Sequence, residues 1–204
     1  MENLGNRDYT LVLDKSGSMN ETDTPSGQTR WAYAQESTKA IALEVEKYDA
    51  DGMTIIPFAG SFKRYENQTA SKLNDIWKET QPMGGTTLAP VLENIFADYL
   101  KRKKAGTTKA NGEMVLVITD GQPSDEAAVS KSIVNFTKQL ENGDGEFGIS
   151  FIQVGKDAQA SAFLKKLDDD LEAQGAKFDI VDTKTMDEVE QIGLTETLIA
   201  ALND

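Results

Sequence analysis

The 204-residue chain contains no cysteine and no histidine. Without cysteine there is no disulfide, no thiolate nucleophile and no cysteine-bound zinc or iron–sulfur cluster. Without histidine, a Ser-His-Asp triad cannot be assembled and a histidine-ligated zinc or iron site is excluded. Any metal must therefore be held by oxygen, which narrows the choice to magnesium, calcium or manganese. Long apolar runs are missing too. The longest, "MVLVI" at 114–118, falls far short of the ~20 residues that cross a bilayer. The opening "MENLGNRDYT" lacks the apolar stretch of a secretory signal. These absences predict a soluble protein of the cytoplasm.

Positive charge is scarce as well: 21 Lys and Arg stand against 34 Asp and Glu, a net charge of −13 with an isoelectric point near 4.5. Such a field repels phosphate backbones and anionic lipids, so neither nucleic acid nor membrane is an expected partner. It also suits a protein that holds a cation. Acidic proteins without metals are common, however, so charge alone decides nothing.

Length and a hydrophobic content of 39% are those of one domain, 1–204, with a sizeable core. No repeat, low-complexity tract or linker divides it. "YTLVL" at 9–13, "MTIIPF" at 53–58, "EMVLVIT" at 113–119 and "FGISFIQVG" at 147–155 are short apolar runs of buried-strand type. "KFDIV" at 177–181 is predicted as a last strand, and "SFKRYENQ" at 61–68 as a short edge strand or hairpin. Pro57 has no donor N–H, so it belongs near a strand end or edge.

Helical spacing joins Trp31, Ala34, Thr38, Ile41, Ala42 and Val45. It joins Leu73, Ile76 and Trp77 in a shorter element, and Leu88, Val91, Leu92, Ile95, Phe96, Tyr99 and Leu100 in the clearest amphipathic stripe. "KRKK" at 101–104 closes that helix, where cations are stabilising whether or not they also dock a partner. Ser124, Asp125 and Glu126 have the look of a cap and an acidic first turn. "AQASAFLKKLDDDLEAQ" at 158–174 is predicted helical, as is the tail from Met186, bent near Gly193. Alternating strands and helices predict right-handed crossovers and a Rossmann-like, doubly wound α/β fold. Its mostly parallel sheet of about six strands would have one short edge strand and helices on both faces.

In such a sheet ligands collect beyond the carboxyl ends of the strands, at the topological switch point. Asp14 and Asp120 each follow an apolar strand directly and so fall on that edge. "DKSGS" at 14–18 turns Asp14, Ser16 and Ser18 the same way, with Gly17 easing the loop. "GGTT" at 84–87 opens the amphipathic helix and carries Thr86 and its competitor Thr87. Hydroxyl and carboxylate oxygens of this kind suit a hard cation. Each piece also has a plain structural reading: an Asp that ends a strand, a Thr or Ser that caps a helix.

"DKSGS", "GGT" and "ITDG", in that order, resemble the metal-ion-dependent adhesion site of von Willebrand factor type A domains, in particular the small stand-alone intracellular bacterial type. Strand–helix order resembles that family over nearly the whole chain. The resemblance implies that Ser16, Ser18 and Thr86 touch the metal directly, Asp14 mainly through water, and Asp120 through water or directly. It implies magnesium, with manganese or calcium as competitors, and no enzymatic activity. It further implies a protein partner that offers an Asp or Glu carboxylate to the open coordination position. "NETDTPSGQTR" at 20–30 departs from the pattern and predicts a flexible polar loop beside the site.

Two other classes remain. One is a magnesium-dependent phosphoryl-transfer hydrolase with Asp14 as nucleophile and Lys15 on the phosphate, weakened by Ser16 where a second carboxylate is wanted and by the lack of a P-loop. The other is an adaptor working beside an AAA+ ATPase or a larger complex. Gly193 is either a hinge coupling the last helix to the site or merely a helix break.

Overall fold

A computed structural model describes residues 4–193. Strands β1 (Asp8–Asp14), β2 (Met53–Phe58), β3 (Tyr65–Gln68), β4 (Glu113–Thr119), β5 (Phe147–Gln153) and β6 (Val181–Thr185) form one sheet in the order β3-β2-β1-β4-β5-β6. Every neighbouring pair is parallel except β2–β3. The helices are α1 (Arg30–Val45), α2 (Leu73–Glu79), α3 (Ala89–Ala105), α4 (Glu126–Thr137), α5 (Ala158–Asp169) and α6 (Met186–Ile192). Among the described residues no helix is long and apolar enough to cross a membrane.

The period-2 alternation of β1 and β4 explains the layering. Val12, Val115 and Val117 point into a core shared with Val91, Leu92 and Phe96 of α3, Ile133 and Phe136 of α4, and Leu164 of α5. Leu11, Leu13, Leu116 and Ile118 point the other way, onto Trp31, Ile41 and Val45 of α1, Ile76 of α2 and Val189 of α6. Central strands buried on both faces must be apolar throughout, which is why they read as continuous runs. Phe96 stacks on Phe136 at 4.0 Å between centroids, with Phe147 edge-on to both.

The sequence-based boundaries hold for the central strands and shift at the end of the chain. Pro57 is next to last in β2, past the residues that pair with β3. The last strand is Val181–Thr185 rather than 177–181. Lys177 is taken by α4 instead: its N–H donates to Thr137 Oγ1 at 3.0 Å and its ammonium to the Leu140 carbonyl at 2.7 Å. Helix α5 stops at Asp169 rather than running to 174, at the Asp168–Asp170 triplet, where clustered anions oppose the negative end of the helix dipole. Helix α6 ends at Gly193, whose φ is 96°. The predicted continuation beyond it lies outside the described residues.

The basic tract has a structural use. Arg102 pairs with Asp8, Asp98 and the buried Glu113, and Lys103 with Glu141 and Glu146. Two of its four cations thus tie the end of α3 to the amino-terminal edge of the sheet, away from the carboxyl edge where Asp14 and Asp120 lie.

Candidate metal centre

Chain order makes β1 the first strand and puts β2 on one side of it and β4 on the other. The connections diverge between β1 and β4, which opens a crevice there at the carboxyl edge. Asp14 closes β1 and Asp120 follows β4, so both flank this switch point.

Asp14 is fully buried. Its Oδ1 accepts the Ser16 N–H at 2.7 Å and its Oδ2 accepts the Thr119 hydroxyl at 2.7 Å. Burial, and secondarily the negative charge of Asp120, pushes its carboxyl up to about 6. Ser16 Oγ lies 3.0 Å from Ser18 Oγ, and Ser18 donates to Asp120 Oδ1 at 3.0 Å. Asp120 is buried as well; burial raises its carboxyl, while Arg30 and Ser18 oppose that rise. Two carboxylates and two hydroxyls thus form one connected cluster, with Ser18 toward the surface and Asp14 and Ser16 beneath.

Thr86 joins through the backbone. The Gly17 N–H donates to Gly84 O at 3.0 Å and the Met83 N–H to Lys15 O at 2.7 Å. On the other side Ser124 gives both its N–H (2.8 Å) and its hydroxyl (2.9 Å) to the Thr86 carbonyl. The Thr86 loop is therefore stitched to the loop after β1 and to the loop after β4. The tight turn rests on Gly84, at φ 85°, a left-handed conformation that favours glycine. Gly17 has no such need, since an added Cβ would meet only Gly84 O at 3.6 Å.

The capping residues differ from the sequence reading. Neither Thr86 nor Thr87 caps α3. Asp125 does so from a distance, its two oxygens accepting the N–H groups of Leu88 (3.0 Å) and Ala89 (2.8 Å). Ser124 does not cap α4, and Asp125, at that position, makes no side-chain cap there. No hydrogen bond engages the Thr86 hydroxyl among the described residues. Replacing Asp125 with alanine should destabilise the protein by about 1–3 kcal/mol, since two backbone donors lose a charged acceptor. Urea unfolding would measure that loss.

Residues 20–30 are not a loose loop. Arg30, buried at the start of α1, binds Asp23 with both Nε (2.7 Å) and Nη2 (2.6 Å), Glu21 at 2.9 Å and Asp120 Oδ2 at 2.8 Å. The Thr24 hydroxyl donates to Gln28 O at 2.7 Å. Sequence inspection missed Arg30 altogether. Its only signal was a lone cation after an acidic stretch.

Among the described residues, no group of three or more acidic side chains gathers to hold a metal. The oxygen set here is of another composition: two buried carboxylates, two mutually bonded serines and a threonine without a side-chain partner. These donors fit a hard divalent ion, and the two crowded carboxylates give it a favourable charge. A cleft of about 520 Å³ lies between α4 and α5 and is lined by none of these residues. Nearer the centre, a cleft of about 360 Å³ lies beyond Asp23, lined by Pro25, Tyr33, Gln153 and Lys156 among others. Met83, 65% exposed, stands beside the Lys15 backbone.

The sheet and its helices define a Rossmann-like α/β domain. The chain belongs to the von Willebrand factor type A domain family, whose sequence model matches residues 9–122, more than half of it. Domains of this family mediate metal-dependent protein interactions. Solved structures with a similar fold include the PilB minor pilin from Streptococcus sanguinis, as a D319A mutant (TM-score 0.64, 13% identity) and unmutated (TM-score 0.61, 12% identity). Each alignment covers 98% of this chain and 62% of the pilin, so the chain spans about three fifths of that protein's length. Manganese-loaded TRAP protein from Plasmodium vivax is also similar (TM-score 0.58, 14% identity, 92% of this chain and 71% of that one). No curated protein sequence matches the chain.

Proposed function

We propose that the protein is a non-enzymatic binding domain that uses a divalent ion to capture an acidic residue of a partner protein. Ser16, Ser18 and Thr86 would hold the ion through their hydroxyls, Asp14 mainly through water, and Asp120 through water or directly. The observation that carries this reading is the Asp14–Ser16–Ser18–Asp120 cluster at the switch point, joined by backbone hydrogen bonds to a loop whose Thr86 hydroxyl has no partner among the described residues. Magnesium is the first choice and manganese a close second. That the similar TRAP protein is manganese-loaded supports a divalent ion here.

The physical argument concerns charge. Neutral hydroxyls neutralise little of a dication, and Asp120 is already shared with Arg30. Magnesium takes about six oxygens, so an external carboxylate would complete both its shell and its charge balance. The ion supplies that attraction when bound; the domain's own −13 charge repels an acidic partner at a distance. Specificity would come from the rim: exposed Met83, the cleft beyond Asp23, and Lys156 within it.

The phosphoryl-transfer reading is weakened by Asp14 itself. A nucleophilic carboxylate needs a free oxygen facing solvent, whereas both oxygens of Asp14 are engaged and buried. Phosphatase turnover that disappears on replacing Asp14 would overturn the binding reading. An adaptor role beside an AAA+ ATPase is compatible with it, because the partner surface would be the same.

The test is calorimetry with Mn²⁺ and Mg²⁺, followed by capture of partners from lysate with and without chelator. We expect saturable metal binding and partners that are retained in Mg²⁺ and released by chelator. Equal retention in chelator, or no heat of metal binding, refutes the proposal.

A further inference from the structure

The guanidinium of Arg30 is the best-held cation near the candidate site, and nothing in the adhesion motif calls for it. Its side chain is 7% exposed and meets three carboxylates: Asp23 through two nitrogens, Glu21, and Asp120 Oδ2 through Nη1. The planar fork matches this arrangement in a way a lysine cannot. Its seat is shaped by Gly155, in the loop between β5 and α5, at φ 78°. A Cβ there would stand 2.5 Å from Arg30 Nε and 3.0 Å from its Cζ. The backbone adds a further tie, with the Arg30 N–H donating to Glu21 O at 2.8 Å.

From this geometry we infer that Arg30 is a positioning residue: it fixes Asp120 with one oxygen toward Ser18 and clamps the Glu21–Asp23 segment onto the rim of the site. The metal part of this inference rests on the function proposed above. The clamp part does not, because it concerns the metal-free protein.

Two effects oppose each other when Arg30 is removed. Loss of a positive charge beside the site strengthens the attraction for a dication. Loss of the positioning contact lets Asp120 swing away from Ser18. The second dominates, because Arg30 Nη1 holds Asp120 Oδ2 directly at 2.8 Å and its loss leaves that buried oxygen without its charged partner, free to turn. Removing an outer contact of this kind lowers metal affinity by about 10–100-fold.

The test uses the full chain as wild type, Arg30→Met, Arg30→Lys and Gly155→Ala. Mn²⁺ affinity is measured by calorimetry, folding by thermal melts, and the clamp by cleavage after Glu21 with a glutamyl endopeptidase in chelator. Arg30→Met is expected to bind Mn²⁺ about 10–100-fold more weakly and to be cleaved after Glu21 faster than wild type. Arg30→Lys should recover part of each. Gly155→Ala keeps every charge, displaces the guanidinium and should follow Arg30→Met, which preserves the test if that variant folds poorly. Mn²⁺ affinity in Arg30→Met and Gly155→Ala equal to or above wild type overturns the positioning role. Unchanged cleavage after Glu21 overturns the clamp. If wild type binds no Mn²⁺, the metal reading and the positioning role fall together, and the cleavage rates alone judge the clamp.

Discussion

Asp14→Asn is expected to weaken Mn²⁺ binding by about 10–100-fold while leaving the metal-free protein as stable as wild type, or slightly more so. Asparagine has the same shape. Its carbonyl oxygen still accepts the Ser16 N–H that Asp14 holds at 2.7 Å. Its amide can donate to Thr119 Oγ1, and that hydroxyl can turn its own hydrogen to Gly121 O, 3.3 Å away. What disappears is a buried negative charge facing another, the arrangement that pushes the Asp14 carboxyl up to about 6 after burial has done the larger part. Relieving like-charge repulsion is neutral or stabilising when no ligand is present, and functional sites commonly carry such a penalty. Melting curves separate the two effects. At a hundred times its dissociation constant, an ion adds about 2.7 kcal/mol of stability to a protein that binds it only when folded. For a domain of this size that is a rise of ~5–10 °C. Wild type should show that rise on adding Mn²⁺ and Asp14→Asn a smaller one. An equal rise in both proteins would remove Asp14 from the site.

The sequence disclosed the parts of this architecture that depend on repeated local choices. β1, β2 and β4 carry apolar residues on both faces because helices cover both, and their runs are too short for a buried helix. Helix α3 announces itself because Val91, Leu92, Ile95, Phe96 and Tyr99 occupy one stripe. β6 is a different case. As an edge strand of sequence VDTKT it has little apolar signal, and Lys177, in the more hydrophobic stretch before it, is tied to the end of α4 instead. A pattern count starts the strand four residues too early there, with only Val181 in common, since tertiary contact overrides local preference.

At the site, Asp14, Ser16, Ser18 and Asp120 were legible because an apolar strand that ends in a polar cluster is unusual, and they do share one hydrogen-bonded cluster. Asp125 and Arg30 were not. An Asp after Ser at the start of a helix looks like a local cap, and only the fold shows that its carboxylate serves a helix 36 residues upstream. Arg30 likewise joins Asp120 across 90 residues. Long-range polar pairing leaves no periodic mark on a sequence, whereas burial does.

Gly112→Ala should lower the melting temperature by about 4–20 °C and leave Mn²⁺ affinity unchanged. Gly112 has φ 73°, and a Cβ built there would stand 1.7 Å from Glu146 O and 2.6 Å from its carbonyl carbon. Both are backbone atoms, so no side chain can move aside. Their own positions are fixed: Glu113 N–H donates to Glu146 O at 3.1 Å, Asp8 N–H to Gly112 O at 2.9 Å, and Glu146 Oε1 accepts from Tyr99 and Lys103. A left-handed conformation costs a residue with a Cβ about 1–2 kcal/mol, and a forced shift of packed atoms adds about 1–3. The sum is about 2–5 kcal/mol, at ~2–4 °C for each in a domain of this length. Gly5→Ala is the control, because a Cβ at Gly5 would meet nothing within 4 Å and its φ is not positive. Parallel melting of the two variants would mean that the strands can part at this edge without penalty. The unchanged metal affinity follows from the position of Gly112 just before β4, whereas Asp120 lies just after that strand. The strain must cross a packed sheet to reach the crevice, and the hydrogen bonds that hold Asp14 and Asp120 involve none of the residues that would move.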